Sequence, residues 1–158
     1  MNFNTLIQNL RDGLATDSTI ETWCQSEYSK SLTVVVGADK RNLPGASDCP
    51  LIHLFPLAKK TGYDDVAKIE HVIGVVVGVH DTTVLSGIEA NITEYEGVEN
   101  LESLRKLVEN AFVASVPSAV RVDEVIIAYD SIEDFPFFWS NMQITLVQDL
   151  YQGDDPLA

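Results

Sequence analysis

Apolar residues recur at helical spacing in two segments of the chain. In the first segment they are three or four residues apart on one helical face, at Phe3, Leu6, Ile7, Leu10 and Leu14. The second stripe consists of Leu101, Leu104, Val108, Ala111, Phe112 and Ser115. It ends before Pro117, because the residue before a proline avoids helical backbone. The pattern predicts two main amphipathic helices, the first capped by Asn2 or Asn4.

A shorter helical element is predicted directly after the first helix. Ser18 and Glu21 have the Ser-x-x-Glu spacing of a capping box, in which the two side chains satisfy backbone N–H groups at a helix start. The turn that follows would carry Ile20, Trp23 and Cys24, with Trp23 in the core.

Runs of β-branched and aromatic residues bounded by Gly and Pro predict the strands. They are Leu32–Val36, Pro50–Pro56, Ile69–His80, Val120–Tyr129 and Phe137–Gln148, with a further short strand expected around Val84–Ile92. Ile69–His80 is apolar on both faces, which predicts a central strand. Prolines bracket Pro50–Pro56 and favour an edge position or strand ends there, because proline cannot donate to a ladder. Polar loops are expected at Ala38–Cys49 and Leu57–Lys68.

The order of these elements predicts an α+β fold, with a mainly antiparallel sheet and two main helices packed on one face. In the last strand, apolar and polar side chains alternate, so one face of the sheet should be buried and the other wetter. Gly74 and Gly78 share a face of the central strand, where another backbone or a helix would approach closely. The length fits one domain, residues 1–150, followed by a flexible C-terminal tail at residues 151–158.

The net charge of −14 is distributed unevenly along the chain. Up to His80, seven Lys and Arg face nine Asp and Glu, whereas from Asp81 onward three face fifteen. Such an acidic half repels phosphate, which argues against groove-reading or backbone-clamping nucleic-acid binding. No apolar run reaches the roughly 20 residues that span a bilayer. The amino terminus lacks the features of a secretion signal, so a cytoplasmic protein is expected.

The residues that could carry catalysis are few and separated. Cys49 and His53 are four residues apart on a predicted strand, about 13 Å between Cα atoms at roughly 3.3 Å per residue, so His53 would not activate the thiol. His71 and His80 lie at the two ends of one strand, too far apart to share a metal ion. Cys24 and Cys49 have no metal-ligand spacing and are expected to be buried thiols. The chain is therefore predicted not to be an enzyme and to need no metal or cofactor.

Two segments place an acid and a proline just before a strand. They are DCPLIHLFP at Asp48–Pro56 and EDFPFFWSNMQITLV at Glu133–Val147. With the amphipathic first helix, the long loop before Pro50, the central strand and the late helix, residues 3–149 resemble the tail terminator proteins of long-tailed phages. The resemblance implies a structural protein without reaction or cofactor, present in the host cytoplasm during assembly and then in the virion tail.

In that family, copies form a ring, typically of six, on the completed tail tube. The ring ends tube polymerisation and presents a surface to the head–tail connector protein. The resemblance implies that loops contact neighbouring copies and the tail tube protein, which here points to Ala38–Cys49 and Leu57–Lys68. The cations of these loops, Lys40, Arg41, Lys59 and Lys60, would meet the acidic half of a neighbouring copy.

The same resemblance implies that DNA passes through the ring without being specifically bound. A negative lumen would avoid contacts that trap phosphate. The candidate lumen residues are Glu89, Glu94, Glu96, Asp123 and Asp130.

Two other functions fit the same sequence. The first is a head–tail joining protein or another minor tail component, and a tail-tube gene immediately downstream would favour the terminator over it. The second is a cytoplasmic small-ligand enzyme or regulator with His53 or His80 in a pocket. A compact apolar cleft that holds a strongly perturbed histidine would favour this alternative.

Overall fold

The computed structural model describes residues 2–37, 41–62, 68–85, 89, 91–130 and 135–150. The helices are α1 (Phe3–Ala15), α2 (Ser18–Tyr28) and α3 (Glu96–Ser115), and one turn of 3-10 helix spans Ala46–Asp48. The strands are β1 (Thr33–Val36), β2 (Leu51–Gly62), β3 (Lys68–His80), β4 (Arg121–Asp130) and β5 (Phe137–Asp149). The predicted α+β class is confirmed, while the predicted tail at residues 151–158 lies outside the described residues.

The five strands form one sheet in the order β1-β2-β3-β5-β4. The predicted central position of β3 is confirmed, and its pairs with β2 and β5 are antiparallel, as is the β4–β5 pair. The β1–β2 pair is parallel. A parallel pair needs a connection long enough for the chain to return to the starting end of the sheet. The long segment between Val36 and Leu51 provides it.

The three helices lie on one face of the sheet, which we call the helix face. Side chains from α1 and α3 pack there against alternate residues of β3 and β5, and the fully buried members include Leu6, Leu10, Leu104, Phe112, Ile73 and Ile144. Both predicted stripes are therefore core-facing, as their spacing indicated. No helix in the described part of the chain is long and apolar enough to cross a membrane.

The second helix differs from its prediction in length and in its cap. It extends for 11 residues, and the side chain of Asp17 accepts hydrogen bonds from the backbone N–H groups of Thr19 and Ile20. Glu21 does not form the predicted capping box with Ser18; its carboxylate accepts instead from Gln25 and Ser31. Aspartate is as good an N-cap as serine, and here it precedes the predicted cap by one residue.

The predicted loop at Leu57–Lys68 is wrong over its first half, because β2 continues through Pro56 to Gly62. The polar end of β2 pairs residue by residue with β3, for example Lys60 with Glu70. A register shift at Pro56/Ala58 accommodates the proline. The predicted edge position is wrong for the start of β2, which lies between β1 and β3. It is correct locally at Pro56, since β1 pairs only with Leu51–Leu54.

Two other segments between the strands are irregular. The predicted short strand around Val84–Ile92 is not formed within the described residues, which show a single antiparallel bridge from Val84 to Tyr95. The predicted loop at Ala38–Cys49 is confirmed for residues 41–49, apart from the 3-10 turn at Ala46–Asp48.

The opposite side of the sheet, here called the outer face, is the predicted wetter side, with Asn141 and Gln143 exposed. Gly74 and Gly78 lie on this face, and the atoms nearest to them among the described residues belong to aromatic side chains, not to another backbone or a helix. Each leaves space for an aromatic ring from a paired strand. A Cβ atom at Gly74 would lie 2.4 Å from the ring of Phe55, and one at Gly78 would lie 2.1 Å from the ring of Trp139. The two rings therefore shield the backbone of β3.

Candidate interface for assembly

The cations assigned to an interface do not form one patch. Lys40 lies outside the described residues, whereas Arg41 is exposed in the loop before the 3-10 turn. The neighbouring residues Leu43 and Pro44 contact the start of β2 near His53. Lys59 and Lys60 lie near the other end of β2, about 20 Å from His53 at roughly 3.3 Å per residue. The continuous strand β2 separates Arg41 from these lysines, so the two predicted contact regions lie at different ends of β2, and their role in an interface stays a prediction.

Lys59 and Lys60 lie on opposite faces at the polar end of β2. Lys60 pairs with Glu70 at 3.7 Å on the outer face, and Lys68 pairs with the same carboxylate at 2.7 Å. The hydrogen bond from Lys68 lowers the pKa of Glu70. Lys59 is exposed on the helix-face side, level with His71, and forms no ion pair with the described residues. This end of β2 therefore presents positive charge to a partner.

The candidate lumen acids also fall into separate groups. Glu89 and Glu94 are exposed in the segment before α3, and Glu96 is in the first turn of α3, where negative charge suits the helix dipole. Asp130 ends β4 at the level of Trp139, whereas Asp123 lies at the start of β4, near the level of Leu146 and Thr145. The structure therefore does not bring Asp123 together with the others, because β4 runs the height of the sheet between them.

Asp123 has a partner within its own strand. Its carboxylate accepts a hydrogen bond from the guanidinium of Arg121 at 2.6 Å, and both side chains are about half exposed. The register of β4 against β5 shifts at this point, between Val122 and Glu124. Glu124 follows on the exposed outer face, so the start of β4 carries two acids and one cation.

A polar network that the sequence analysis did not identify fixes β4 to α3. Arg105 is only 5% exposed and donates hydrogen bonds to the carboxylates of Glu102 and Glu109. The bond from Arg105 lowers the pKa of Glu102 to about 2. The hydroxyl of Tyr129 on β4 donates to the same carboxylate. The i, i+3 and i, i+4 spacing of these charges on α3 is a signal in the sequence that could have indicated this network.

The far edge of the sheet exposes large apolar side chains. β4 is ten residues long. Within the described residues, no strand pairs with the edge of β4 that points away from β5. Ile126 is 48% exposed and Tyr129 is 52% exposed, in a stretch, Val125–Tyr129, without charge or proline. Long apolar edges of this kind are templates for pairing with another chain. This edge is therefore a candidate interface.

A shallow cleft on the outer face contains one of the histidines considered for a ligand site. Its volume is about 410 Å³, and its lining residues are Leu43, Pro44, His53, Val76, Phe137, Trp139 and Asn141. Partial burial lowers the pKa of His53. His80 contacts Phe137 edge-on, with ring centroids 4.9 Å apart. The cleft therefore brings aromatic rings together with the imidazole of His53 and the amide of Asn141.

The thiols and the possible metal ligands were also located. Cys24 and Cys49 are buried and unpaired, as predicted, and burial raises the pKa of Cys24 to about 12 and that of Cys49 to about 11. Both thiols are therefore protonated near neutral pH. Among the described residues, no group of three or more His, Cys, Asp and Glu side chains is arranged to hold a metal ion.

No protein-family model matches the chain, and no curated protein matches it in sequence.

Proposed function

We propose that this protein is a structural component of a long-tailed phage or prophage tail, which caps the completed tail tube as a ring. In this role it ends tube polymerisation and provides the surface on which the head–tail connector protein attaches. The family resemblance of residues 3–149 supports the tail assignment. The structural observation that carries an assembly role is the long edge of β4, which no other strand of the described residues pairs with and on which Ile126 and Tyr129 are about half exposed.

An uncovered apolar edge is a liability for a protein that works as a monomer, because it pairs with other chains. The same edge is useful to a subunit that must join identical copies. A head-to-tail contact between copies uses two different surfaces and closes into a ring when the rotation per copy is right. DNA would pass through such a ring, and the acidic charge of −12 from Asp81 onward would discourage phosphate from binding.

The test is deletion of the gene from its native phage or prophage, followed by electron microscopy of the particles. We expect headless tails of uncontrolled length, with normal length restored when the protein is supplied. Tails of normal length that fail to join heads would instead support a head–tail joining protein. Normal infectious particles would contradict both tail functions.

A small-ligand function is the second candidate, and the cleft around His53 is the observation that favours it. Apolar clefts with a few polar groups are the usual form of ligand sites. The two candidates make different predictions for His53→Gln. This variant should restore normal tails in the deletion strain if the protein is a tail component, and should fail to restore function if a ligand bound at His53 is required.

A further inference from the structure

The free edge of β4 is held in the extended conformation that a partner strand needs. From Arg121 to Asp130 it pairs with β5 on one side, except at Asp123, where the register shifts. The hydroxyl of Tyr129 bonds to Glu102, and Arg105 fixes that carboxylate on α3. A partner strand would therefore meet a preformed edge and would not have to order it, which lowers the entropic cost of association.

The same chain offers a second free edge, on β2. β1 pairs only with Leu51–Leu54. The edge of Phe55–Gly62 that points away from β3 therefore has no partner strand within the described residues. Pro56 lies in this stretch and has no N–H to donate to a partner strand, and the register against β3 shifts between Pro56 and Ala58. The regular part of this edge is therefore Ala58–Gly62, which is about the usual length of a strand.

The two free edges carry opposite charge. The free stretch of β2 has a net charge of +2 from Lys59 and Lys60, whereas β4 has a net charge of −2 from three acids and Arg121. Opposite charges across a strand pair stabilise it, and like charges destabilise it. Pairing of β4 with a second β4 in antiparallel orientation would bring residues 123 and 124 of each copy towards residue 130 of the other. Acidic positions would then meet acidic positions, which disfavours the symmetric dimer.

The strand directions also suit a contact between β4 and β2. Successive antiparallel pairs from β2 through β3 and β5 to β4 make β4 antiparallel to β2. A rotation about a ring axis keeps the component of each strand direction that lies along the axis, so strands that run mainly along the axis keep their direction in every copy. For strands in that orientation, the rotation therefore places β4 of one copy antiparallel to β2 of the next. β1 already pairs with the first residues of β2. The incoming β4 must therefore be shifted along the strand direction towards the end of β2, and closed sheets require such a stagger.

We propose that the β4 edge of one copy pairs with the Phe55–Gly62 edge of the next copy, so that the sheets of neighbouring copies join into one antiparallel sheet around the ring. The occupant of each edge is thus a second copy of this chain. This contact rests on the ring proposed above, and it assigns the two edges that build the ring.

Cysteine crosslinking on assembled tails tests the contact directly. Ile126→Cys on β4 is combined in one chain with Ala58→Cys or Lys60→Cys on β2; these side chains share the outer face. Within one chain, β2 and β4 are three strand spacings apart, about 14 Å, so the new cysteines cannot bridge internally. Cys24 and Cys49 are buried and serve as internal controls for exposure.

Tails purified from the deletion strain supplied with each double variant are oxidised and separated without reductant. A ladder of products beyond the dimer, in at least one of the two pairs and absent from each single variant, supports the contact. A dimer from Ile126→Cys alone would overturn it, because it would show β4 paired with β4. Protein present on the tails without any ladder would overturn the contact and leave the proposed function standing. Protein absent from otherwise normal tails would overturn both.

A charge exchange provides an independent readout. Glu124→Lys and the double variant Lys59→Glu/Lys60→Glu should each reduce incorporation into tails at least tenfold, and the combined variant should recover to within about threefold of the original. Glu99→Lys and Lys30→Glu change charge at exposed positions away from both edges and should leave incorporation unchanged. Loss in the combined variant equal to the sum of the separate losses would contradict the pairing. Circular dichroism verifies that every variant is folded.

Discussion

On the helix face of the sheet, three helices bury aliphatic side chains of β3 and β5 almost completely. On the outer face no helix is packed among the described residues. Shielding there comes from aromatic rings of β2 and β5 that lie over Gly74 and Gly78. The helix face is thus covered by packed helices. The outer face is covered only by a few cross-strand contacts, which leave polar residues at the surface. The comparison indicates that folding depends mainly on the helix face, while the outer face and its edges are free to bind.

The largest effect should come from truncation on the helix face. Phe112 is fully buried against the sheet, so Phe112→Ala should lower the free energy of unfolding by about 3–5 kcal/mol through lost burial and a residual cavity. Ile126→Ala on the outer face removes a half-exposed side chain and should cost less than about 1 kcal/mol. Urea denaturation of both variants measures the difference. Equal losses would contradict the distinction between the faces.

An intermediate effect is expected where the outer face is tightly packed. In Gly78→Ala the new methyl group would lie 2.1 Å from the ring of Trp139, so the ring must move, at a cost of about 1–3 kcal/mol. Gly62→Ala is the matched control, because its nearest neighbour would be 3.8 Å away. Thermal unfolding measures the stability of the two variants. The emission maximum of Trp139, recorded in a Trp23→Phe background, shows whether its ring has moved. An unchanged emission maximum and stability in Gly78→Ala would contradict the role of the glycine.

These glycines show how far the sequence could predict the fold. Periodicity identified α1 and α3, and the doubly apolar pattern of Ile69–His80 identified the central strand. The end of β2 has the polar composition of a loop at Lys59 and Lys60, and only its pairing with β3 makes that segment a strand. The rings over Gly74 and Gly78 come from other strands, so local spacing indicated close approach but not the group that approaches.

The candidate interface was less predictable from the sequence. Charge counts identified a basic and an acidic half, but which side chains converge depends on the strand order. The sequence alone does not show that Arg41 and Lys59 lie at different ends of β2. The exposed edge of β4 could not be recognised from its own residues, because Val125–Tyr129 has the composition of an internal strand. Its edge position follows from the pairing of β5 with β3 and β4.

A smaller difference between the two faces is expected in how the stability depends on pH. His71 is 1% exposed on the helix face, stacks on Phe3 and finds no hydrogen-bond partner for Nδ1 within the part of the chain that the structure describes. Burial and the charge of Lys59 lower its pKa, so the unfolded chain binds this proton more tightly. Stability should therefore fall as the pH drops below the ordinary histidine value of about 6.5. His53 has a lowered pKa too, but it is partly exposed on the outer face.

The stability of the original protein and of His71→Phe is compared at pH 7.5 and pH 5.5 by urea denaturation. The variant should lose less stability on acidification, since it has no imidazole to protonate. His53→Phe should reduce the acid sensitivity by a smaller amount. An identical pH response of the original protein and His71→Phe would exclude His71 as a source of acid sensitivity.

The smallest effect on folding should come from Lys60→Ala at the free edge of β2. Lys60 is 69% exposed at its side chain, and Glu70 keeps Lys68 as a closer partner. Exposed ion pairs contribute little, so the free energy of unfolding should change by less than about 0.5 kcal/mol. If this edge receives β4 of a neighbouring copy, the same substitution should still reduce incorporation into tails. Lys106→Ala on α3 also removes an exposed lysine that pairs with a shared carboxylate, and it should change neither quantity. Parallel changes in stability and incorporation for Lys60→Ala would assign the residue to the fold, whereas reduced incorporation at unchanged stability would assign it to the contact between copies.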